Sequence, residues 1–197
     1  MKNIGKVYAL DAAAKRVEKL KENIARLQLT CIEALKQDAT KLVSWEEEGG
    51  EKQDRFLPSH IFEPGTFDRI LLDAPCSSLG QRPMLVNNIR LGALKGYQKY
   101  QVALFRNAVP LLKKDKGTLV YSTCTITPDE NESVVAWALQ QYPQLRLVSQ
   151  KQFHLGNPGF PGFGLNEEQC KLVQRFDPTD PQDTIGFFIA KFESNLL

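Results

Sequence analysis

Apolar positions along this chain switch repeatedly between strand-like and helix-like spacing. The first apolar run, residues 6–10, ends in Asp11, and residues 12–29 then repeat apolar side chains at helical spacing among many charges. Residues 31–38 show a weaker strand pattern that also ends on a carboxylate, Asp38. The region from 45 to 67 is charged and rich in Gly and Pro, which predicts a surface insertion.

Two continuous apolar runs, FDRILLD (67–73) and GTLVYST (117–123), dominate the centre of the chain. Runs of this kind, bounded by turn signals, predict strands buried on both faces of a parallel sheet. Residues 97–117 between them predict a helix, kinked at Pro110. Residues 127–143 predict a second helix with Thr127 as N-cap and Pro128 at the first helical position. We expect an edge strand at 145–149 and a late strand at 184–192.

This alternation of strands and helices predicts an α/β fold with a doubly wound, mostly parallel sheet. A chain of 197 residues suits one domain, so we expect residues 1–197 to form a single unit. Ligands of such sheets bind beyond the carboxyl ends of the strands. Four residues stand at those ends: Asp11, Asp38, Asp73 and Cys124.

Composition narrows the possible partners only slightly. The net charge is +2, so any contact with nucleic acid has to come from a local basic patch. The sequence has neither a membrane-spanning apolar stretch nor a signal-peptide pattern, and we expect an intracellular, cytoplasmic protein without membrane contact. Four widely spaced cysteines, Cys31, Cys76, Cys124 and Cys170, indicate reduced thiols and no metal site.

The strand-end acids each admit two interpretations. Asp11 fits an acceptor for the ribose hydroxyls of a nucleoside cofactor, and it equally fits a cap for the helix that follows. Asp38 fits an acceptor for an adenine amino group, or it merely ends its strand. Position alone leaves both pairs of alternatives open.

Two of the cysteines occupy positions that suit chemistry. Cys76 follows Pro75 in a loop with Gly and Ser, and Cys124 lies among hydroxyl residues where a strand ends. Two thiols at strand ends facing one crevice indicate nucleophilic catalysis, because a thiolate is a strong nucleophile. Spacing alone fits a pair of buried core cysteines equally well.

The segments FDRILLDAPCSSLGQRP (67–83) and LLKKDKGTLVYSTCTITPDENE (111–132) resemble the paired PC and TC motifs of the NOP/Sun-domain family of RNA cytosine-5 methyltransferases. TIGFFIAKF (184–192) is similar to that family's closing strand, and the resemblance extends from about residue 5 to residue 192, nearest to the member that methylates the acceptor end of tRNA. It implies a Rossmann-like class I methyltransferase fold with an antiparallel late strand. It also implies that the family's first strand and glycine-rich loop lie upstream of the point where this chain begins.

The resemblance assigns roles to five residues. Cys124 would attack carbon 6 of cytosine, and carbon 5 would then take a methyl group from S-adenosylmethionine. Cys76 would help to remove the proton from carbon 5, although the reverse assignment of the two cysteines stays open. Asp73 would hold the cytosine edge and border the cofactor, and Asp11 and Asp38 match the family's contacts to ribose and adenine.

The implied partner is RNA, in particular tRNA. With no separate RNA-docking module in the chain, docking would fall to basic side chains: Lys95, Lys99, Arg106, Lys113 and Lys114. The upstream position of the glycine-rich loop keeps one alternative open, a non-catalytic RNA-binding or interaction form of the same domain. A hydrolase is disfavoured, because there is no Gly-x-Ser-x-Gly elbow and both histidines lie in insertion-like segments.

Overall fold

A computed structural model describes residues 2–48, 51–57, 62–150, 155–181 and 183–195. Both histidines, His60 and His154, lie outside the described residues. The chain divides into two compact units, Met1–Ile61 and Phe62–Leu197. The first unit contains β1 (Val7–Asp11), α1 (Ala14–Arg26), β2 (Ile32–Lys36), β3 (Ser44–Glu48) and β4 (Glu51–Leu57). The second contains β5 (Arg69–Asp73), α2 (Leu91–Leu111), β6 (Thr118–Thr123), α3 (Glu132–Gln141), β7 (Leu145–Leu147), α4 (Glu167–Cys170), β8 (Gln174–Phe176) and β9 (Phe187–Ser194).

In the first unit, β1 and β2 pair in parallel and α1 connects them, which confirms the predicted strand–helix–strand order. Asp11 lies opposite Lys36 in the register, so β1 and β2 end at the same edge. The segment predicted as a surface insertion contains an antiparallel pair, β3 and β4, with Ser44 opposite Leu57. Sequence reasoning missed this pair, because the charged residues that dominate the segment hide any period-two pattern.

The sheet of the second unit has the order β5-β6-β9-β7, and β8 also pairs with β9. Strands β5 and β6 are parallel, whereas β9 runs antiparallel to β6, β7 and β8. The predicted antiparallel late strand and the edge position of β7 are both confirmed. Strand β8 was not predicted, because its three residues follow a long Gly- and Pro-rich loop.

Helices α2 and α3 cover one face of this sheet. The ring of Phe105 on α2 lies 5.1 Å from Tyr121 on β6, 5.7 Å from Phe192 on β9 and 6.5 Å from Trp137 on α3, measured between centroids. Phe105, Tyr121 and Phe192 are all fully buried. Aromatic packing between helix and sheet therefore forms the core of this unit and gives β5 and β6 a rigid base.

The prediction that β5 is buried on both faces is wrong. Leu72 is buried and lies opposite Tyr121 in the register, on the face that α2 covers. Leu71 points to the other face and is 70% exposed. Its neighbours on that face, Arg69 and Asp73, are also exposed. Side chains alternate along a strand, so one covering helix buries only half of an apolar run.

The predicted start of α3 is also wrong. The helix begins at Glu132, and residues 128–131 form turns. The Thr127 hydroxyl does not cap a helix; it donates to the Glu130 carboxylate at 2.7 Å. Glu130 is fully buried and gathers donors from a neighbouring loop, which holds this segment out of helical geometry. Pro110, the predicted kink, lies one residue before the end of α2.

None of the helices in the described part of the chain combines the length and the apolar character that a membrane crossing needs.

Candidate active site

The loops that follow β5 and β6 bring the two predicted cysteines together. These strands are parallel neighbours, with Asp73 opposite Ser122, so their carboxyl ends meet at one edge. Residues 74–80 follow β5 and residues 124–127 follow β6. The Sγ atoms of Cys76 and Cys124 lie 3.3 Å apart, and both thiols are free. We call these segments the Cys76 loop (74–80) and the Cys124 loop (124–127).

The two thiols differ in acidity. Burial, together with the hydrogen bond to Cys124, raises the pKa of Cys76 to about 11. Burial also opposes ionisation of the half-buried Cys124, but hydrogen bonds with Ser78, Gln81 and Cys76 outweigh it and lower the pKa of this thiol. Cys124 is therefore the thiol that ionises first, while Cys76 stays protonated at neutral pH.

Asp73 lies at the same edge of the sheet as the two thiols. It is the last residue of β5, its side chain is exposed, and its Oδ1 accepts a hydrogen bond from Ser122 Oγ at 3.2 Å. The structure thus brings Asp73, Cys76 and Cys124 together at the ends of two adjacent strands.

Backbone hydrogen bonds of two glycines, Gly80 and Gly186, connect the Cys76 loop to the Cys124 loop and to the residue before β9. The Gly80 N–H donates to the Cys124 carbonyl at 3.1 Å, and the Gly186 N–H donates to the Gly80 carbonyl at 2.7 Å. A Cβ atom on Gly80 would stand 2.3 Å from Gly186 O, so a larger residue cannot be placed there without displacing backbone. Sequence reasoning missed this contact, although Gly80 in segment 67–83 and Gly186 in segment 184–192 were visible signals.

A buried carboxylate, Glu130, joins the two cysteine loops. Its Oε1 accepts from Ser77 Oγ at 2.6 Å and Thr127 Oγ1 at 2.7 Å, and its Oε2 accepts from Ser77 N at 2.9 Å and Gln101 Nε2 at 3.1 Å. Ser77 Oγ also lies 2.8 Å from Thr125 Oγ1. A helix starting at Thr127, as the sequence predicts, would place Glu130 in its first turn with no bond to the Cys76 loop.

A second buried carboxylate supports the Cys124 loop from the other side. The Arg175 Nη1 donates to both oxygens of Glu132, at 2.7 and 2.8 Å, and its Nη2 donates to the carbonyl of Ile126. The guanidinium also stacks over the ring of Phe160, 4.1 Å from its centroid. This ion pair is almost fully buried and links β8 to the Cys124 loop.

The other two predicted site residues, Asp11 and Asp38, belong to the first unit. Asp11 accepts from the Ala13 N–H at 2.7 Å and pairs with Arg16 at 3.0 Å. The N-cap of α1 is Ala13, whose side chain makes no capping hydrogen bond, so Asp11 supports the turn that leads into α1 and is not its cap. Asp38 Oδ1 accepts from the hydroxyl and the N–H of Thr40, and these bonds lower the pKa of its carboxyl group. The contacts to ribose and adenine stay predictions.

Three of the predicted basic docking residues, Lys95, Lys99 and Arg106, lie on α2. A pocket of about 390 Å³ there is lined by Gln98, Lys99, Val102, Arg106 and Trp137. Lys113, by contrast, forms an ion pair with Asp68 at 2.5 Å. Within the described ranges, no group of three or more His, Cys, Asp or Glu residues is arranged to hold a metal ion.

The fold is that of a Rossmann-like class I methyltransferase. Its parallel strands carry the candidate site residues at their carboxyl ends, and the last strand, β9, runs antiparallel to its neighbours. The structure superimposes on that of NSun6 from Pyrococcus horikoshii, solved with SFG, with a TM-score of 0.76 and 34% identity over 98% of this chain and 42% of that one.

The chain belongs to the family described as 16S rRNA methyltransferase RsmB/F, whose model matches residues 1–193. It is 44% identical over 98% of its length to the human tRNA (cytosine(72)-C(5))-methyltransferase NSUN6, and 36% identical over 97% of its length to the tRNA (cytosine(72)-C(5))-methyltransferase of Pyrococcus horikoshii. It spans 44% and 41% of these two relatives. The family resemblance that the motifs indicated is confirmed.

Proposed function

We propose that this chain is the catalytic region of an S-adenosylmethionine-dependent RNA (cytosine-5)-methyltransferase that acts on tRNA in the cytoplasm. Family membership and the names of the human and archaeal relatives support the reaction and the substrate. The observation that carries the proposal is the pair of free thiols, 3.3 Å apart and of unequal acidity, where β5 and β6 end.

In the proposed reaction, Cys124 is the nucleophile. Its thiolate adds to carbon 6 of cytosine, and the electron pair of the 5,6 double bond becomes available at carbon 5, which is then methylated. S-adenosylmethionine supplies the methyl group when bound. The lowered pKa of Cys124 supports this assignment, because the thiolate is the attacking form.

Cys76 then removes the proton from carbon 5, and the electrons left behind re-form the double bond and expel Cys124. The high pKa of Cys76 keeps it protonated in the free enzyme, so it does not compete as a nucleophile. Part of that high pKa comes from Cys124. Once Cys124 is bonded to carbon 6, it no longer carries a negative charge. The pKa of Cys76 then falls, and its thiolate can form for the step in which it removes the proton from carbon 5.

In the proposed reaction, Asp73 holds the cytosine. Its exposed side chain ends β5 beside the thiols, where a carboxylate accepts from the exocyclic amine and a carboxylic acid donates to the ring nitrogen. Negative charge accumulates on the pyrimidine when carbon 6 is attacked, and a donor at that nitrogen stabilises it. The target base has to leave its stack to reach these groups.

The residues of the first unit fit the cofactor that we propose. Asp11 ends β1 and Asp38 comes shortly after β2, the parallel neighbour of β1, and both side chains are half-buried. The bonds from Thr40 lower the pKa of Asp38 further below neutral, and the remaining acceptor capacity of its carboxylate suits an amine or a hydroxyl. On docking, exposed Lys95, Lys99 and Arg106 would contact RNA phosphates.

The test is methyl transfer to tRNA from labelled S-adenosylmethionine, with Cys124→Ala, Cys76→Ala and, as matched control, Cys31→Ala in the first unit. We expect Cys124→Ala to abolish transfer, Cys76→Ala to accumulate a denaturation-resistant RNA adduct, and Cys31→Ala to retain transfer. An adduct that forms without Cys124 but requires Cys76 would reverse the two roles. Full transfer by Cys124→Ala would refute the proposed nucleophile.

A further inference from the structure

We propose that Glu130 is a positioning residue, which holds the Cys76 loop and the Cys124 loop in register and acts on the reaction only through the two cysteines. Its effect on methyl transfer rests on the proposed function. Its effect on the arrangement of the thiols does not.

The first argument is the saturation of the Glu130 carboxylate. The side chain is fully buried, and four donors occupy its two oxygens: the N–H and hydroxyl of Ser77, the hydroxyl of Thr127 and the amide of Gln101. Among the described residues, no cationic side chain pairs with it. A buried carboxylate without a cation is costly unless its hydrogen bonds are complete, so each of the four donors is held in place.

The second argument is the direction of the hydroxyl bonds. Ser77 Oγ has one proton and two neighbours, Glu130 Oε1 at 2.6 Å and Thr125 Oγ1 at 2.8 Å. Ser77 donates its one proton to the Glu130 carboxylate, so its oxygen accepts in the second contact and Thr125 is the donor there. Replacing the Glu130 carboxylate with a neutral amide would remove the acceptor that fixes these directions. The hydroxyls of Ser77 and Thr125 could then donate in either direction.

The third argument is the position of these hydroxyls next to the thiols. Ser77 directly follows Cys76, and Thr125 directly follows Cys124. The hydroxyl contact of 2.8 Å and the thiol contact of 3.3 Å are therefore successive links between the same two loops. By orienting the hydroxyl pair, Glu130 fixes the separation of the adjacent thiol pair.

Glu130 also connects these loops to the rigid core. Gln101 of α2 donates both to Glu130 and, at 3.1 Å, to the carbonyl of Pro75. The Tyr121 hydroxyl of β6 donates to the Glu130 carbonyl at 2.6 Å. Burial first, and then the charges of Glu130 and Cys76, raise the pKa of Tyr121, so this hydroxyl stays a donor. The Cys76 loop, which carries two of the groups that lower the pKa of Cys124, Cys76 and Ser78, is thereby anchored to the core through Ser77 and Pro75.

The experiment is Glu130→Gln in the whole 197-residue chain, with Asp115→Asn at an exposed position as the matched control. The alkylation rate of Cys124 by iodoacetamide is measured against pH by peptide mass spectrometry, without RNA or cofactor. We expect the midpoint of Cys124 to rise by about one unit in Glu130→Gln, which slows alkylation at neutral pH by about tenfold. The control should keep the wild-type profile. An unshifted midpoint in folded Glu130→Gln would overturn the proposal.

A second pair of variants decides the matter if Glu130→Gln does not fold. Thr127→Val removes one donor from Glu130, whereas Thr127→Ser keeps it. We expect the valine variant to shift the Cys124 midpoint upward and the serine variant to restore it. Equal profiles for the two would contradict the inference.

Methyl transfer separates this inference from the proposed function. We expect Glu130→Gln to lower kcat while KM for tRNA stays constant, because Glu130 does not touch the substrate. If wild-type protein transfers no methyl group but the alkylation midpoint shifts as expected, the positioning role stands and the proposed function fails. If wild type is active and the midpoint does not move, the positioning role fails alone.

Discussion

The buried ion pair between Arg175 and Glu132 makes a strong prediction about stability. Arg175 and Glu132 are 6% and 0% exposed, and Arg175 donates to both carboxylate oxygens and to the carbonyl of Ile126. Arg175→Met keeps most of the side-chain length but removes every one of these donors. Glu132 then keeps only the Phe160 N–H, at 2.8 Å, among the contacts seen for its carboxylate.

The expected cost follows from this geometry. Breaking a buried ion pair leaves an uncompensated charge and typically lowers the free energy of unfolding by about 3–5 kcal/mol. At roughly 2–4 °C per kcal/mol for a chain of this size, the Tm should fall by roughly 6–20 °C. Replacing both partners, in Arg175→Met with Glu132→Leu, should recover part of the loss, because no buried charge is then left unpaired.

The assay is urea unfolding followed by circular dichroism, with Arg146→Met as the matched control. Arg146 pairs with Glu193 at 3.1 Å, but the two side chains are 59% and 32% exposed. An exposed pair of this kind contributes about 0–1 kcal/mol, so the control should change little. Equal losses for Arg175→Met and Arg146→Met, or a double variant as unstable as the single one, would refute the reasoning.

Three further predictions concern the site. Gly80→Ala should destabilise the protein and lower activity, because its Cβ would stand 2.3 Å from Gly186 O. The control is Gly96→Ala, at a helical position with nothing within 4 Å, which should be neutral or stabilise the protein by up to ~1 kcal/mol. Thermal unfolding compares the two variants. Iodoacetamide alkylation of Cys124 should rise with pH through a midpoint below the ordinary thiol pKa, since thiolate forms only above the folded pKa; a midpoint above that value would contradict the hydrogen-bond argument. Asp38→Asn should weaken binding of S-adenosylmethionine in calorimetry, because the variant loses an ionised acceptor; unchanged affinity would remove Asp38 from the proposed cofactor site.

The motifs and the apolar spacing predicted much of what the structure contains. Strands β1, β2, β5, β6, β7 and β9 lie where the patterns indicated, and so do α1 and most of α2. The prediction that Cys76 and Cys124 meet followed from a simple rule, since parallel neighbouring strands end at one edge. The missed strands have local causes: charged side chains concealed β3 and β4, and the long Gly- and Pro-rich loop before β8 concealed that strand.

The start of α3 shows why local signals can fail. Thr127 and Pro128 are good helix-start residues, yet the helix begins at Glu132. The Glu130 carboxylate accepts hydrogen bonds from Thr127, Ser77 and Gln101, and the last two donors are distant in the sequence. A tertiary bond that completes a buried carboxylate outweighs a cap that satisfies one terminal N–H group.

The sequence by itself determined the order of the main strands and helices (β1, α1, β2, β5, α2, β6, β7 and β9), the two cysteine motifs and the acids at the strand ends, because these depend on neighbouring residues and on short periodic patterns. Tertiary structure alone decided that Leu71 is exposed, that the two thiols differ in acidity and that Glu130 joins their loops. Burial, pKa and hydrogen-bond partners depend on groups far apart in the chain, and no local pattern specifies which of them meet.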